Sequence, residues 1–404
     1  MKSGFKELLK GHALSPQEAP AKVKNNKQCL SIGIPREIES TEYRVCLTPE
    51  AVALLVNNGH EIFVETGAGS GSKYLDREYS EAGATIVYSA REVFQANIIM
   101  KVEPATLEEI SYMRTGQTIM SAIQVAKLNV EYLNALNKKK ITAIAFELIE
   151  DRVGGKPVVK AMSEISGSTV MLIAGEYLNS VNNGMGVILG GITGVPPTQV
   201  VILGAGTVAE YAARTAIGLG AEVKVFDNQI FKLKRLKEHV NHSIYTSVID
   251  TNTLSCALKN ADVAIGALRD EDGTGSMVVS EEMVAAMKPG SVIIDVTIDQ
   301  GGNFETSEFT THKNPTFTKY GVIHYCVPNL AARVARTATM AFSNIFTPML
   351  LQLAKNGGVE EMIYNKTWFM KSVYSYKGSL TYLLLARKFN MGYKDISLLF
   401  PSKY

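Results

Sequence analysis

Apolar positions recur with two different periods along this chain. Cys29-Leu30-Ser31-Ile32-Gly33-Ile34 alternates apolar and polar or small side chains after a lysine-rich lead and stops at Pro35, which predicts a short strand. Runs at Glu61–Glu65, Ile98–Val102 and Thr118–Ile123 predict further strands, and Pro49–Asn58 carries the first amphipathic helical spacing. After Pro157 the pattern restarts with a long helical stretch, Ser163–Val181, and a glycine-rich loop from Gly190 to Pro197. A second series of strands is predicted at Gln199–Leu203, Glu222–Phe226, Val263–Ile265 and Ser291–Asp295. From residue 335 to the end the spacing reads as helical, clearest over Thr337–Leu353 and Leu380–Phe389, while the polar residues 1–28, with Pro16 and Pro20, read as a helical or loose arm. Alternating strands and helices predict an α/β layer structure with mainly parallel sheets, and the restart near residue 158 marks a domain boundary.

Composition narrows the class. A chain of 404 residues exceeds one core of ordinary size, and two domains is the simplest count. With 46% hydrophobic and 20% charged residues it can bury sizeable cores. The net charge of +2 leaves no field to hold a polyanion, so nucleic acid is not an expected partner; Lys232 to Lys237 is short and interleaved with Leu233 and Leu236, as on a solvated helix face. The 4 cysteines lack metal-ligand spacing and fit a reducing cytoplasm. No metal site, membrane span or secretory signal is expected, because no run approaches ~20 apolar residues.

The strongest chemical signal is Gly204-Ala205-Gly206-Thr207-Val208-Ala209. Alone, such a G-x-G-x-x-A run is weak. Here an apolar strand precedes it, a helical pattern follows, and Asp227 ends a second strand about 20 residues later. Gly204 suits the tight turn, Gly206 the close approach of backbone to a pyrophosphate, and Ala209 the packing of helix on sheet. Asp227 suits a carboxylate accepting from ribose hydroxyls and repelling a 2′-phosphate, which favours NAD over NADP; the alternative is a carboxylate that caps a loop.

With that fingerprint placed, the chain from about Ser31 to about Leu353 resembles the family of alanine dehydrogenases and the nucleotide-binding part of proton-translocating transhydrogenases. The resemblance rests on Gly33-Ile34-Pro35-Arg36-Glu37, Glu42-Tyr43-Arg44-Val45, Met162-Ser163-Glu164, Met287-Lys288-Pro289-Gly290-Ser291, Asp299-Gln300-Gly301-Gly302 and His324-Tyr325-Cys326-Val327. It implies two Rossmann-like doubly wound domains, with an NAD domain (158–334) inserted in a discontinuous substrate domain (1–157 and 335–404). It further implies reversible NAD-dependent deamination of L-alanine to pyruvate and ammonia, and a homo-oligomer, usually a hexamer in the family.

Residue by residue, Arg44 matches the arginine that holds the substrate carboxylate, a role suited to a planar bidentate cation, although by itself such an arginine is equally a surface ion-pair partner. Asp299 matches the aspartate at the nicotinamide end of the cleft and Asn329 the asparagine beside it. Ser163 matches a residue near the cofactor, and Lys232 one near the adenosine. Lys101 is the nearby candidate for a lysine on the substrate oxygen, in a segment one residue shorter than the family pattern; the alternative is a solvated strand-end lysine. Where the family has its catalytic histidine, this chain has Gln124, and an amide binds oxygen but exchanges no proton near neutral pH. His324, in an apolar run, reads as a packed structural residue. Proton handling therefore falls to Lys101, should burial lower its pKa, or to Asp299 through water. Two rivals remain at this point: a saccharopine-type amino-acid or imine dehydrogenase, and a transhydrogenase-like NAD-binding module without dehydrogenase activity.

Overall fold

The computed structural model describes residues 28–400 except 39–40, 126, 152 and 271–274; the arm expected before residue 28 lies outside the described residues. Two sheets organise the chain. The strands are β1 Ser31–Ile34, β2 Glu61–Glu65, β3 Thr85–Val87, β4 Ile98–Met100, β5 Thr118–Ser121, β6 Thr142–Ala145, β7 Gln199–Leu203, β8 Glu222–Phe226, β9 Tyr245–Ser247, β10 Val263–Gly266, β11 Val292–Asp295, β12 Thr316–Lys319, β13 Val322–Tyr325, β14 Val373–Tyr376 and β15 Ser379–Leu380. The first sheet runs β15-β14-β6-β5-β4-β1-β2-β3 and the second β12-β13-β11-β10-β7-β8-β9. Strands β1 to β6 pair in parallel, as do β7 to β11 and β13; β12, β14 and β15 are antiparallel additions at the edges.

Central strands are buried on both faces: β6, β10 and β11 are largely apolar, and β5 is buried along its length with Thr118 and Ser121 at its ends. On the first sheet, Ile32 and Ile34 pack with Phe342, Phe346 and Leu350 of the helix Ala335–Lys355, while Ile99 and Ile119 face Leu133 and Leu136 on the other side. The second sheet is covered in the same way by two further cores.

The 22-residue helix Pro157–Leu178 joins the two halves. Val158 and Met162 in its first turns pack into the first sheet's core, and Val170 to Leu178 into the second's. Gly167 sits where this helix crosses the helix Thr207–Gly218; a Cβ there would lie 2.4 Å from Val208 O, so only glycine permits the approach.

The expectation of a wholly helical segment after residue 335 is corrected at β14 and β15. Val373-Tyr374-Ser375-Tyr376 is buried along its length and pairs antiparallel with β6, and the turn back to β15 uses Lys377 and Gly378, both at positive φ. β-branched and aromatic side chains around a two-residue Lys-Gly turn make a hairpin. The predicted helix from Leu380 starts only at Leu383. Among the described residues no helix is long and apolar enough to cross a membrane.

Candidate active site

Strand ends in parallel sheets leave crevices at their carboxyl sides, and the chemistry-bearing residues gather there. In the second sheet, Gly204 follows β7 with φ +99°, and a Cβ on it would meet Ala267 O at 2.4 Å. Gly206 caps the helix Thr207–Gly218, and nothing lies within 4 Å of where its Cβ would be. That open space, in front of unpaired helix N–H groups, fits a pyrophosphate. Ala209 is buried against the sheet. Asp227 is also buried: Oδ2 accepts from Ala205 N at 2.7 Å and Oδ1 from Gln229 N at 2.7 Å. It thus ties the glycine turn to the end of β8, and each oxygen keeps a second lone pair for a ribose hydroxyl. Lys232 lies in the first turn of the helix Ile230–Val240, beyond that loop.

The first sheet presents charges. Arg44 is buried and forked onto Glu42, Nε to Oε1 at 2.7 Å and Nη2 to Oε2 at 2.5 Å, with its own backbone N–H on Oε1 at 2.9 Å. Burial opposes ionisation of both, yet their attraction prevails, lowering Glu42's pKa and raising Arg44's. Nη1 faces Met162 Sδ at 3.5 Å, and Phe342 lies under the guanidinium. Asn329, from the second half of the chain and at φ 59°, donates Nδ2 to Glu42 Oε2 at 3.1 Å. The two halves therefore meet at Arg44–Glu42, and Ser163, half-buried next to Met162, stands at the same junction.

Lys101 departs from expectation. Its side chain is 2% exposed, and Nζ sits 2.8 Å from Glu37 Oε2 and 3.4 Å from Glu109 Oε1. Burial works against its charge, but the two carboxylates overcome that and raise the pKa. The supposition that burial lowers it is corrected: Lys101 is held as an ammonium between two buried carboxylates. Glu37, sharing that cation with Glu109 and close to Glu42, is pushed by burial up to about 7.

Gln124 follows β5 with φ 36°, a strained value for a non-glycine residue. Glu147 after β6 holds the turn, its carboxylate accepting from Ile123 N at 2.9 and 3.0 Å and from Gln124 N at 3.4 Å; burial raises its pKa. Gln124 Nε2 donates to Glu103 Oε1 at 2.7 Å, and Lys127 Nζ to Glu103 Oε2 at 2.7 Å. A carboxylate accepts only, so the amide nitrogen faces Glu103 and the amide oxygen faces away.

Asp299 lies in the turn Ile298–Gln300 after β11, exposed beside the glycine turn's sheet; desolvation by neighbouring protein raises its pKa, opposed by Arg269. Its loop is shaped from below by Asp295, which accepts from Thr297 Oγ1 and Ser307 Oγ, and by Asn303, bonded to both backbone atoms of Leu268. His324 is buried, with Nε2 2.8 Å from Thr306 Oγ1, Nδ1 3.0 Å from Val322 O and its ring stacked on Phe317; burial lowers its pKa, and its place is structural.

The model of the alanine dehydrogenase/PNT N-terminal domain matches residues 33–166, and that of the C-terminal domain residues 170–383. The chain belongs to the alanine dehydrogenase/PNT family. Alanine dehydrogenase of Methanococcus maripaludis is 39% identical over 364 residues, 90% of this chain and 97% of the relative, and that of Bacillus subtilis 38% over 368 residues, 90% and 96%. A solved L-alanine dehydrogenase superposes with a TM-score of 0.84 at 34% identity, covering 89% of this chain and 99% of that one. A transhydrogenase from Sinorhizobium meliloti superposes at 0.74 with 25% identity, covering 87% and 98%. As a member of the alanine dehydrogenase/PNT family, this chain is an oxidoreductase whose work involves a nucleotide cofactor.

Sequence reasoning missed the carboxylates of the site. Glu37 and Glu42 stand in the sequence only as parts of motifs, and Glu103, Glu147 and Lys127 carry no sequence signal at all. The partners of Glu37, Glu103 and Glu147 come from distant parts of the chain, which sequence spacing does not reveal.

Proposed function

We propose that this chain oxidises L-alanine with NAD to pyruvate and ammonia, and runs the reductive amination in reverse. The observation that carries the reading is the junction at Arg44: a buried guanidinium, stiffened by Glu42, whose Nη1 has only a thioether as its hydrogen-bond partner among the described residues, next to the strand ends that form the nucleotide crevice. Residues 158–334 would form the NAD unit, inserted between 1–157 and 335–404. Gly204, Gly206 and Ala209 would admit the pyrophosphate, Asp227 the ribose, with Lys232 near the adenosine and Ser163 and Asn329 near the nicotinamide end. When bound, NAD supplies the acceptor for the hydride of the alpha carbon.

Arg44 would hold the substrate carboxylate and so aim the alpha hydrogen at the crevice. Gln124, with its amide oxygen turned from Glu103, would accept from the substrate's nitrogen. Asp299, whose raised pKa suits a carboxyl exchanging protons through water, would handle protons from the turn after β11. Lys101 would act indirectly, by holding Glu37 and Glu109 together. Self-association belongs to the same reading, supported by the exposed Leu172, Ile188 and Leu219 lining one shallow groove.

The rival reading, a nucleotide-binding module without dehydrogenase activity, is favoured by Gln124 and by the burial of Lys101. A panel of L-amino acids with NAD, followed by NADH absorbance, separates the two. Alanine should lead the panel; nucleotide binding without turnover of any amino acid would sink the proposal.

A further inference from the structure

In the second sheet β7 and β10 lie side by side, yet the chain leaves β7 toward β8 and β10 toward β11, on opposite sides. Divergence of this kind opens a crevice at the carboxyl ends of the two strands, where parallel α/β sheets bind their ligands. Gly204 leaves β7 at that crevice, and the segment that leaves β10 abuts it. Ala267 N donates to Leu203 O at 2.9 Å, and a Cβ on Gly204 would meet Ala267 O at 2.4 Å and Leu268 N at 2.9 Å. Arg269 comes next. Its backbone pairs with Gly275, and Gly275 N donates to Gln300 O at 2.7 Å. Leu268 is bonded through both backbone atoms to Asn303. Arg269 is thereby fixed between the glycine turn and the loop that carries Asp299.

The guanidinium of Arg269 is exposed and, among the described residues, makes no hydrogen bond or ion pair. Neighbouring protein works against its charge and lowers its pKa, and Asp299 opposes that from beyond ion-pair distance. A cation fixed at a ligand crevice with its donors free lacks an anion. We propose that Arg269 binds the pyrophosphate of the dinucleotide from the β10 side, while the N–H groups that open the helix Thr207–Gly218 hold it from the β7 side. The inference rests on the nucleotide reading of Gly204, Gly206 and Ala209 given above. The two walls act differently. Backbone N–H groups at a helix start are few and fixed, and their partial charge falls short of a pyrophosphate's. A guanidinium adds a full charge and two parallel N–H donors that match a pair of phosphate oxygens.

The test uses the full chain and reads binding before turnover. NADH is titrated by fluorescence into wild type, Arg269→Met and Arg269→Lys, and ADP-ribose and adenosine are then used to displace it. Arg269→Met should raise the Kd for NADH about 10-fold or more, and that for ADP-ribose by the same factor, since both lose a charge-assisted hydrogen bond. Adenosine, which has no phosphate, should bind wild type and variant alike. Arg269→Lys keeps the charge without the fork and should fall between them. Added salt should narrow the gap between wild type and Arg269→Met, because the crevice is open to solvent. Thermal unfolding without ligand should not change, since the side chain holds nothing else in place. An NADH Kd for Arg269→Met within about two-fold of wild type overturns the inference. So does a loss as large for adenosine as for NADH, the mark of a deformed crevice. Unchanged ADP-ribose affinity with a raised KM for alanine also overturns it, by putting the guanidinium on the substrate instead. Wild-type protein that binds no NADH defeats the nucleotide reading and this inference with it, whereas a binding wild type with an unaffected variant defeats only the inference.

Discussion

Arg44 and Glu42 behave as one unit, because each is the other's main compensation for burial. Replacing Arg44 by Lys keeps the charge but loses the fork, and kcat/KM for alanine should fall by a factor corresponding to about 1–3 kcal/mol. Glu42→Gln should harm the same step and destabilise the fold by roughly 3 kcal/mol, since it leaves a buried guanidinium without its counter-charge; thermal unfolding with and without NADH measures both. Glu37 gives a pH signature. Its pKa rises from 4.5 to about 7 on folding, so its contribution to stability is fully present below 4.5 and is lost as pH climbs through about 7. Denaturant unfolding should show wild-type stability falling across that window, with the slope reduced in Glu37→Gln; equal slopes would contradict the raised pKa. Of these residues Arg44 was legible, because a motif after the first strand pointed to it. The environment of Lys101 was not. Its partners Glu37 and Glu109 come from other elements, and a strand-end lysine looks the same in sequence whether solvated or enclosed.

At the scale of elements, strands with strong alternation or continuous apolar runs could be read closely: β2, β7 and β8 have the bounds their patterns predict. The hairpin β14–β15 escaped because its strands are short and their partner β6 lies far away in sequence. Two glycines test the element packing. Gly167→Ala should push the helix Pro157–Leu178 off the helix Thr207–Gly218, costing about 1–3 kcal/mol in unfolding measurements. Gly204→Ala meets Ala267 O at a backbone angle that side chains rarely adopt, and should weaken NADH binding well beyond tenfold while leaving far-ultraviolet circular dichroism native. Unchanged affinity there would remove the glycine turn from the cofactor site.

For the whole molecule, the decisive feature is that the buried Arg44–Glu42 pair of the first half meets Asn329 of the second, whose sheet carries the open glycine turn. Doubly wound order was predictable from alternating elements, but the meeting of Asn329 with Glu42 needed the folded chain. Asp227 should make kcat/KM favour NAD over NADP by well over ~10-fold, and Asp227→Ala should narrow that ratio; equal use of both cofactors by wild type would contradict the ribose role. The most direct test of the central claim follows the hydride itself. L-alanine carrying deuterium at the alpha carbon is incubated with NAD and the purified protein, and the nucleotide and keto acid are examined by mass spectrometry. Reduced nucleotide heavier by one deuterium, formed in equal amount with pyruvate and ammonia, is the expected result; unlabelled reduced nucleotide, or none at all from a protein that still binds NADH, would contradict it.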